Sequence, residues 1–452
     1  MSAFLFLLSG VGDAFVWGTG LDDEIRAGAG FQSHIIGVGR SYSTSTDGHI
    51  LIWDYDGNLL EAHATGIAGT DEFYGASGEG DSLIAVGFIN DLGNPDALFM
   101  RSDPTLNNPT VLAIRGPEAD HLRSASGPYL VGHTSSWGSG ETDVFLTRFE
   151  GSSPSWSLAI GGQEFDYGED VLVLEGDAVV AGYTESYGSL GQAFVMRVGP
   201  DGAIKWFRTF GGAGYDMALR VSLIADNIIV AGKDGSQGGG VLLFALDALG
   251  NLLWARLIRA NGYEYPMDIL IDNGAVYISG RHTIGGPAFL LKVLPQGTLA
   301  WSKYVGGNSS DGLGSLISGP GQLVALGYTS SFGFGRRDFL FASVEPNSGY
   351  NCQSRDASFT STTIALPAET RTPNAVSAEP QIAILENTLF SPDLSYQMWC
   401  EGVGIEESPD KTSSARYGLY DCTGRRLDSS PGRAGVYFIL GPEGKPRMLF
   451  LK

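Results

Sequence analysis

Between residues 170 and 212, short apolar runs alternate with turn residues. "DVLVLE" is apolar and β-branched, "GD" breaks it, and "AVVAGYT" is a second apolar run. "ESYGSLG" reads as a loop, "QAFVMRV" as a third run, "GPDG" as a turn and "AIKWFRTF" as a fourth run. No run has the 3.6-residue period of a helix. The pattern predicts four short β-strands joined by tight turns and one longer loop.

The unit recurs. A hydrophobic-small-Gly-polar step places glycines at Gly39, Gly87, Gly132, Gly182, Gly232, Gly280 and Gly327, spaced 48, 45, 50, 50, 48 and 47 residues apart. An acidic residue precedes each one: Asp23, Asp71, Asp120, Asp166, Asp216, Glu264 and Asp311. The offset from acid to glycine is 16 residues in six units and 12 in the third. Trp156, Trp206, Trp254 and Trp301 mark a third feature in phase with the other two. A four-stranded unit of this period is a propeller blade, and seven blades bury one another's faces in a ring without long free edges. The fold class expected is all-β, a seven-bladed β-propeller over 15–346. The last unit lacks its fourth strand. "AFVWG" near the N-terminus carries the Trp-Gly phase, so residues 14–18 are expected to pair with 338–344 and close the ring.

Composition adjusts this picture in three ways. Glycine at 65 of 452 residues fits a turn-rich β fold. The net charge of −22 argues against nucleic-acid binding and against docking on anionic lipid, both of which need Lys/Arg patches. No stretch approaches the ~20 apolar residues of a membrane-spanning helix. Residues 1–14 read as a signal peptide, with Gly12 and Ala14 at the −3 and −1 positions and no basic residue before the apolar run. Secretion or cell-surface display of a monomer is the localisation expected. All three cysteines, Cys352, Cys400 and Cys422, follow the repeats, and a Cys352–Cys400 disulfide is expected. Residues 347–402 are rich in Ser, Thr and Pro and read as a linker, or as extended strands at most.

"AGYTESYGSLG", "LGYTSSFGFGRRDFLF" and "LGNLLWARLI" resemble bacterial and archaeal propeller repeats of the SBBP kind over about residues 14–346. That resemblance implies a fold and no activity. Residues 403–452 resemble the C-terminal sorting domain of type IX secretion through Tyr420, Asp421, Gly424, Arg425, Gly435, Tyr437, Phe438 and Lys452. The stretch is shorter than that domain usually is. The resemblance implies export, with the secretion machinery as a partner.

Candidate chemistry lies on the loops. The acids Asp71, Asp120, Asp166, Asp216, Glu264 and Asp311 lie in the loops from the fourth strand of one unit to the first of the next, which share a face with the second-to-third strand loops. Trp137, Tyr187 and Phe332 each lie five residues beyond a repeat glycine. Together they would form a face that binds a surface glycan or protein. The alternative is that each acid caps its own loop. Residues that depart from the repeat are further candidates: His121, Arg123, His133, Arg259, Glu264, Arg281 and His282. Glu164, Asp166, Glu169 and Asp170 cluster in sequence as a weak calcium site; no other cofactor is expected. Enzyme signatures such as GxSxG, HExxH and phosphate-binding loops are missing from the sequence. The function expected is non-enzymatic binding, adhesion or scaffolding. The alternative is a secreted polysaccharide hydrolase or lyase with carboxylates near the central channel.

Overall fold

The computed structural model describes residues 13–398, apart from 43–45, 66–68, 108, 189, 237, 386–388 and 393, and four strands between 418 and 451. Seven antiparallel sheets form a ring. In the first blade, Asp22–Gly30 lies next to the axis, followed outward by Ile35–Tyr42, Thr46–Trp53 and Leu59–Thr65. The other inner strands are Thr70–Glu79, Asp120–Ser126, Asp166–Leu174, Met217–Ile224, Glu264–Asp272 and Asp311–Gly319. Each touches the inner strands of both neighbouring blades. The core lies between blades, where Phe145, Phe194, Phe244 and Phe289 have no exposed surface. Burying each of these rings contributes about 1.5–3 kcal/mol.

The glycine ladder has its physical cause in the strand pairing. In every blade the pairing of inner and second strands slips by one residue just after the acid. The slips fall between Ile25 and Ala27, Phe73 and Gly75, Leu122 and Ser124, Gly168 and Asp170, Ala218 and Arg220, Pro266 and Asp268, and Leu313 and Ser315. These are β-bulges, which bend the strand and re-aim one side chain. Each bulge sets an inner-strand carbonyl against the repeat glycine. A Cβ on Gly232 would lie 1.8 Å from the Met217 oxygen, and one on Gly39 would lie 1.9 Å from that of Glu24. Backbone blocks the space, so no rotamer relieves the clash. Gly232→Ala is expected to destabilise the chain by about 3 kcal/mol or more, read as a lowered denaturation midpoint.

Ring closure follows the sequence expectation. Ala14–Gly18 pairs with Asp338–Val344, with Ala14 opposite Ala342 and Trp17 opposite Phe339. The segment read as a linker or extended strands takes a more specific form. It runs back around the ring and adds a short fifth strand to the outer edge of every blade. Ser354–Asp356 joins the sixth blade, Thr360–Thr363 the fifth, Ala368–Thr370 the fourth and Asn374–Ser377 the third. Gln381–Leu385 joins the second, Leu389–Phe390 the first, and Ser395–Met398 pairs with the N-terminal strand in the seventh. Between these strands, Phe359, Leu366 and Ala378 turn inward and are buried at blade seams.

Cys352 is disulfide-bonded. Its expected partner, Cys400, lies outside the described residues, as do the signal-peptide residues 1–12 and Cys422. Residues 402–452 are a separate unit. There Gly418–Asp421 pairs with both Arg426–Leu427 and Gly435–Leu440, and the latter pairs with Pro446–Leu451.

Candidate functional site: an arginine-lined axial cavity

The acid ladder is buried and hydrogen-bonded within the blades. Asp23, Asp71, Asp120, Asp166, Asp216, Glu264 and Asp311 are each at most 1% exposed. Asp311 accepts hydrogen bonds from Gly307 N (3.0 Å), Thr329 Oγ1 (2.6 Å), Ser330 N (3.2 Å) and Ser331 Oγ (2.8 Å). Asp166 accepts from Gly162 N and Ser186 Oγ, and Asp216 from Gly212 N and Gly235 N. Asp120 accepts from Thr134 and Ser136, while Glu264 takes three backbone amides, those of Ala260, Asn261 and Gly262. Asp166, Asp216 and Asp311 each tie the loop leading into the inner strand to the loop leaving the second strand, while Glu264 caps the loop leading in and Asp120 the end of the second strand. This is the loop-capping alternative raised by the sequence, and the carboxylate oxygens are turned to their own loops rather than to a shared ligand.

Asp71 has the strongest perturbation of these. It accepts from Gly48 N and Thr65 Oγ1, yet burial pushes its pKa up to about 7. The folded chain therefore holds a proton that the unfolded chain has lost between about pH 4 and pH 7. Its contribution to stability is full near pH 4 and is lost as the pH rises through 7. Asp71→Asn removes this dependence. The melting temperature of the variant relative to the parent is expected to be higher at pH 8.5 than at pH 5, and an equal offset at both would contradict the assignment.

The loop aromatics separate. Trp137 is partly buried against Phe145, with ring centroids 5.7 Å apart. Tyr187 donates its hydroxyl to Gly161 O at 2.7 Å. Phe332 is 37% exposed. The calcium candidates also disperse. Glu164 is exposed, Asp166 caps its loop, Glu169 faces the axis, and Asp170 accepts from Ser124 Oγ and from the backbone of Val221 in the next blade. Among the described residues, no group of three or more His, Cys, Asp or Glu is placed to hold a metal ion. Arg259 ends an outer strand, and His282 is buried with Nδ1 2.8 Å from Pro287 O.

What the ring does build is a cavity of about 310 Å³ on its axis. The bulges supply its inner layer. The extra residue in each is Arg26, Tyr74, Arg123, Glu169, Leu219, Met267 or Gly314, and every one with a side chain lines the cavity. Residues just after the repeat glycines, Arg40, Arg281 and Tyr328, add to the wall, as do Glu24, Arg220, Tyr265 and Arg337. The lining thus holds six arginines and two glutamates, in a chain of net charge −22.

The arginines fall into two banks. Arg40 lies 3.1 Å from Glu24 and 2.7 Å from Glu72; Arg26 lies 3.5 and 3.2 Å from the same pair; Arg337 lies 3.2 Å from Glu24. Burial pushes Glu24 up, but Arg26, Arg40 and Arg337 outweigh it and hold the carboxyl below its ordinary value. Arg123, Arg220 and Arg281 make no short ion pair among the described residues, although the Glu169 charge acts on Arg123 and the Arg220 charge acts on Asp170 and Asp268. Arg123 stacks over Tyr74 at 4.3 Å and Arg281 over Tyr265 at 5.0 Å. Arg220 donates to the neighbouring Leu219 O.

Beside the cavity an arc of rings crosses four blades. Tyr74, Phe88, His121, His133, Tyr167, Tyr183 and Tyr215 follow one another with centroids 4.8–5.8 Å apart. Burial and then the Arg123 charge lower His121 to about 4; burial, Arg123 and His121 lower His133 well below its ordinary value. Both imidazoles are neutral at pH 7. Of the sequence candidates, the structure thus brings Arg123, Glu169 and Arg281 to the cavity and sets His121 and His133 beside it. Arg26, Arg40, Arg220 and Arg337 were missed. Only Arg26 carries a positional signal, as the residue three places after a ladder acid, a position that varies from blade to blade while the ladder holds constant.

No family model and no curated protein matches the chain. Among solved structures it is similar to the WD40 β-propeller domain of Doa1, with 14% identity, 74% of this chain and 97% of that one covered, and a TM-score of 0.48. It is also similar to Sqt1 from Chaetomium thermophilum, solved there with the N-terminus of a ribosomal protein (12% identity, 76% and 91% covered, TM-score 0.45). A prolyl endopeptidase is similar over 96% of this chain but 54% of its own length, at 11% identity and a TM-score of 0.41. At these identities the likeness concerns the propeller architecture alone.

Proposed function

We propose that this chain is a binding propeller displayed outside the cell, and that it takes its ligand at the axial cavity. One observation carries the reading: three guanidinium groups outside any short ion pair among the described residues face a single cavity in a strongly acidic protein. Unpaired charge in a recess is what a ligand site needs and what a purely architectural ring does not. The cavity residues sit at the ends of the inner and second strands where the capped loops gather, so a glycan or protein terminus would approach that face. The disulfide at Cys352 supports an oxidising compartment, in line with the N-terminal and C-terminal export signals read in the sequence.

A second reading, polysaccharide hydrolysis, draws on Glu24 and Glu169 sharing the cavity. Glu24 is held ionised by three arginines and has no proton to give, which favours binding over general acid chemistry. Purified chain is expected to bind immobilised glycans at pH 7 and to lose that binding on Arg281→Gln. Turnover of a polysaccharide that disappears on Glu169→Gln would support the hydrolase instead.

A further inference from the structure

We infer that the axial cavity recognises a carboxylate on a sugar-sized, hydroxyl-bearing ligand, a uronic-acid unit in chemical class, with Arg123 and Arg281 as its carboxylate-binding residues. The inference rests on the binding reading above. It starts from how the two arginines are held. A guanidinium paired with carboxylates has part of its in-plane fork engaged. One fixed by a ring face has not, because stacking uses the π face and leaves the N–H fork free. Arg26 over Tyr74 and Arg337 over Tyr328 combine a ring contact with ion pairs, whereas Arg123 over Tyr74 and Arg281 over Tyr265 have the ring contact without a short ion pair. Arg123 Nε is buried and has no hydrogen-bond partner. Forked donors in a recess match a planar carboxylate in two-point contact.

The rest of the wall selects what carries the carboxylate. Glu24 and Glu169 also line the cavity; carboxyl oxygens accept from hydroxyls, and the Glu24 charge, held by its arginines, repels a dense polyanion such as a nucleic-acid backbone. A volume of about 310 Å³ is at the small end for ligand pockets, enough for one compact unit and not for an extended chain. Neutral His121 and His133 and the tyrosines of the arc extend an uncharged aromatic surface from the same region. An acid group held by the arginines, with hydroxyls toward the glutamates, uses each of these features.

The test is calorimetric titration of the full chain with methyl β-glucuronoside, methyl β-glucoside and acetate at matched ionic strength. The glucuronoside is expected to bind, the glucoside to show no heat, and acetate to bind at least tenfold more weakly. Arg123→Gln and Arg281→Gln should each weaken glucuronoside binding at least tenfold at unchanged melting temperature, and Arg281→Lys, which keeps the charge but not the fork, should weaken it less. Arg148→Gln, on an outer blade surface, should bind as the parent does. Equal binding of glucuronoside and glucoside, or parental affinity in both glutamine variants, would overturn the inference. Binding to neutral glycans alone would overturn it while leaving the binding reading intact; no binding to any glycan or protein surface would remove both.

Discussion

A chain ended at Gln353 is expected to aggregate, although it keeps every repeat. It loses the seven short strands that cover the outer edge of each blade, from Ser354–Asp356 to Ser395–Met398. The bare edges, such as Leu252–Arg259 and Ser153–Gly161, would then present unpaired N–H and C=O groups to other molecules. The seams lose Phe359, which packs on Phe289 with centroids 5.6 Å apart, and Leu366. Light scattering should show large assemblies, and any soluble fraction should melt at least about 10 °C lower. Cys352→Ser in the full chain separates the loss of the disulfide from the loss of the strands. A truncated chain that stays monomeric with an unchanged melt would mean the belt is dispensable.

The second large effect is expected at the acid ladder. Asp311→Ala strips the acceptor from Gly307 N, Thr329 Oγ1, Ser330 N and Ser331 Oγ, all close to a fully buried site. Leaving several buried donors unpaired costs about 3–5 kcal/mol. Denaturant unfolding should show that loss in the midpoint. Ligand affinity at the axial cavity should change little, because the folded fraction still has its arginines. A variant of normal stability that fails to bind would instead give the ladder the ligand-binding role considered from the sequence.

The ring itself was legible because its constraints repeat. Every bulge needs a glycine opposite it, and every inner strand opens on a buried acid that accepts from backbone or hydroxyl donors around it, so chemistry stamps the same residues into each unit. The closing strand was legible because Ala14–Gly18 carries the apolar, Trp-Gly phase of the strand it replaces. The belt was not. Its strands are two to five residues long, its side chains are largely exposed, and its pairing is made by backbone groups that every residue except proline shares. Ser and Thr runs such as Thr360–Thr363 therefore read as linker. The cavity was legible in part. Arg123 and Arg281 stood out as departures from the repeat, but a bulge shifts register by one residue and decides which side chain faces the axis. Without that shift, Arg26 reads as an ordinary surface residue and Glu169 as one acid of a loop cluster, and Arg40 and Arg337 lie in other strands and loops altogether.

The central claim is that the ligand is taken at the axial cavity and not on the loop ladder. A crystal structure of the full chain grown with methyl β-glucuronoside tests it most directly. Density is expected on the axis, with the carboxylate against Arg123 and Arg281. Density instead against Tyr187 or Phe332, or bridging the ladder acids, with the axis free of sugar, would contradict it.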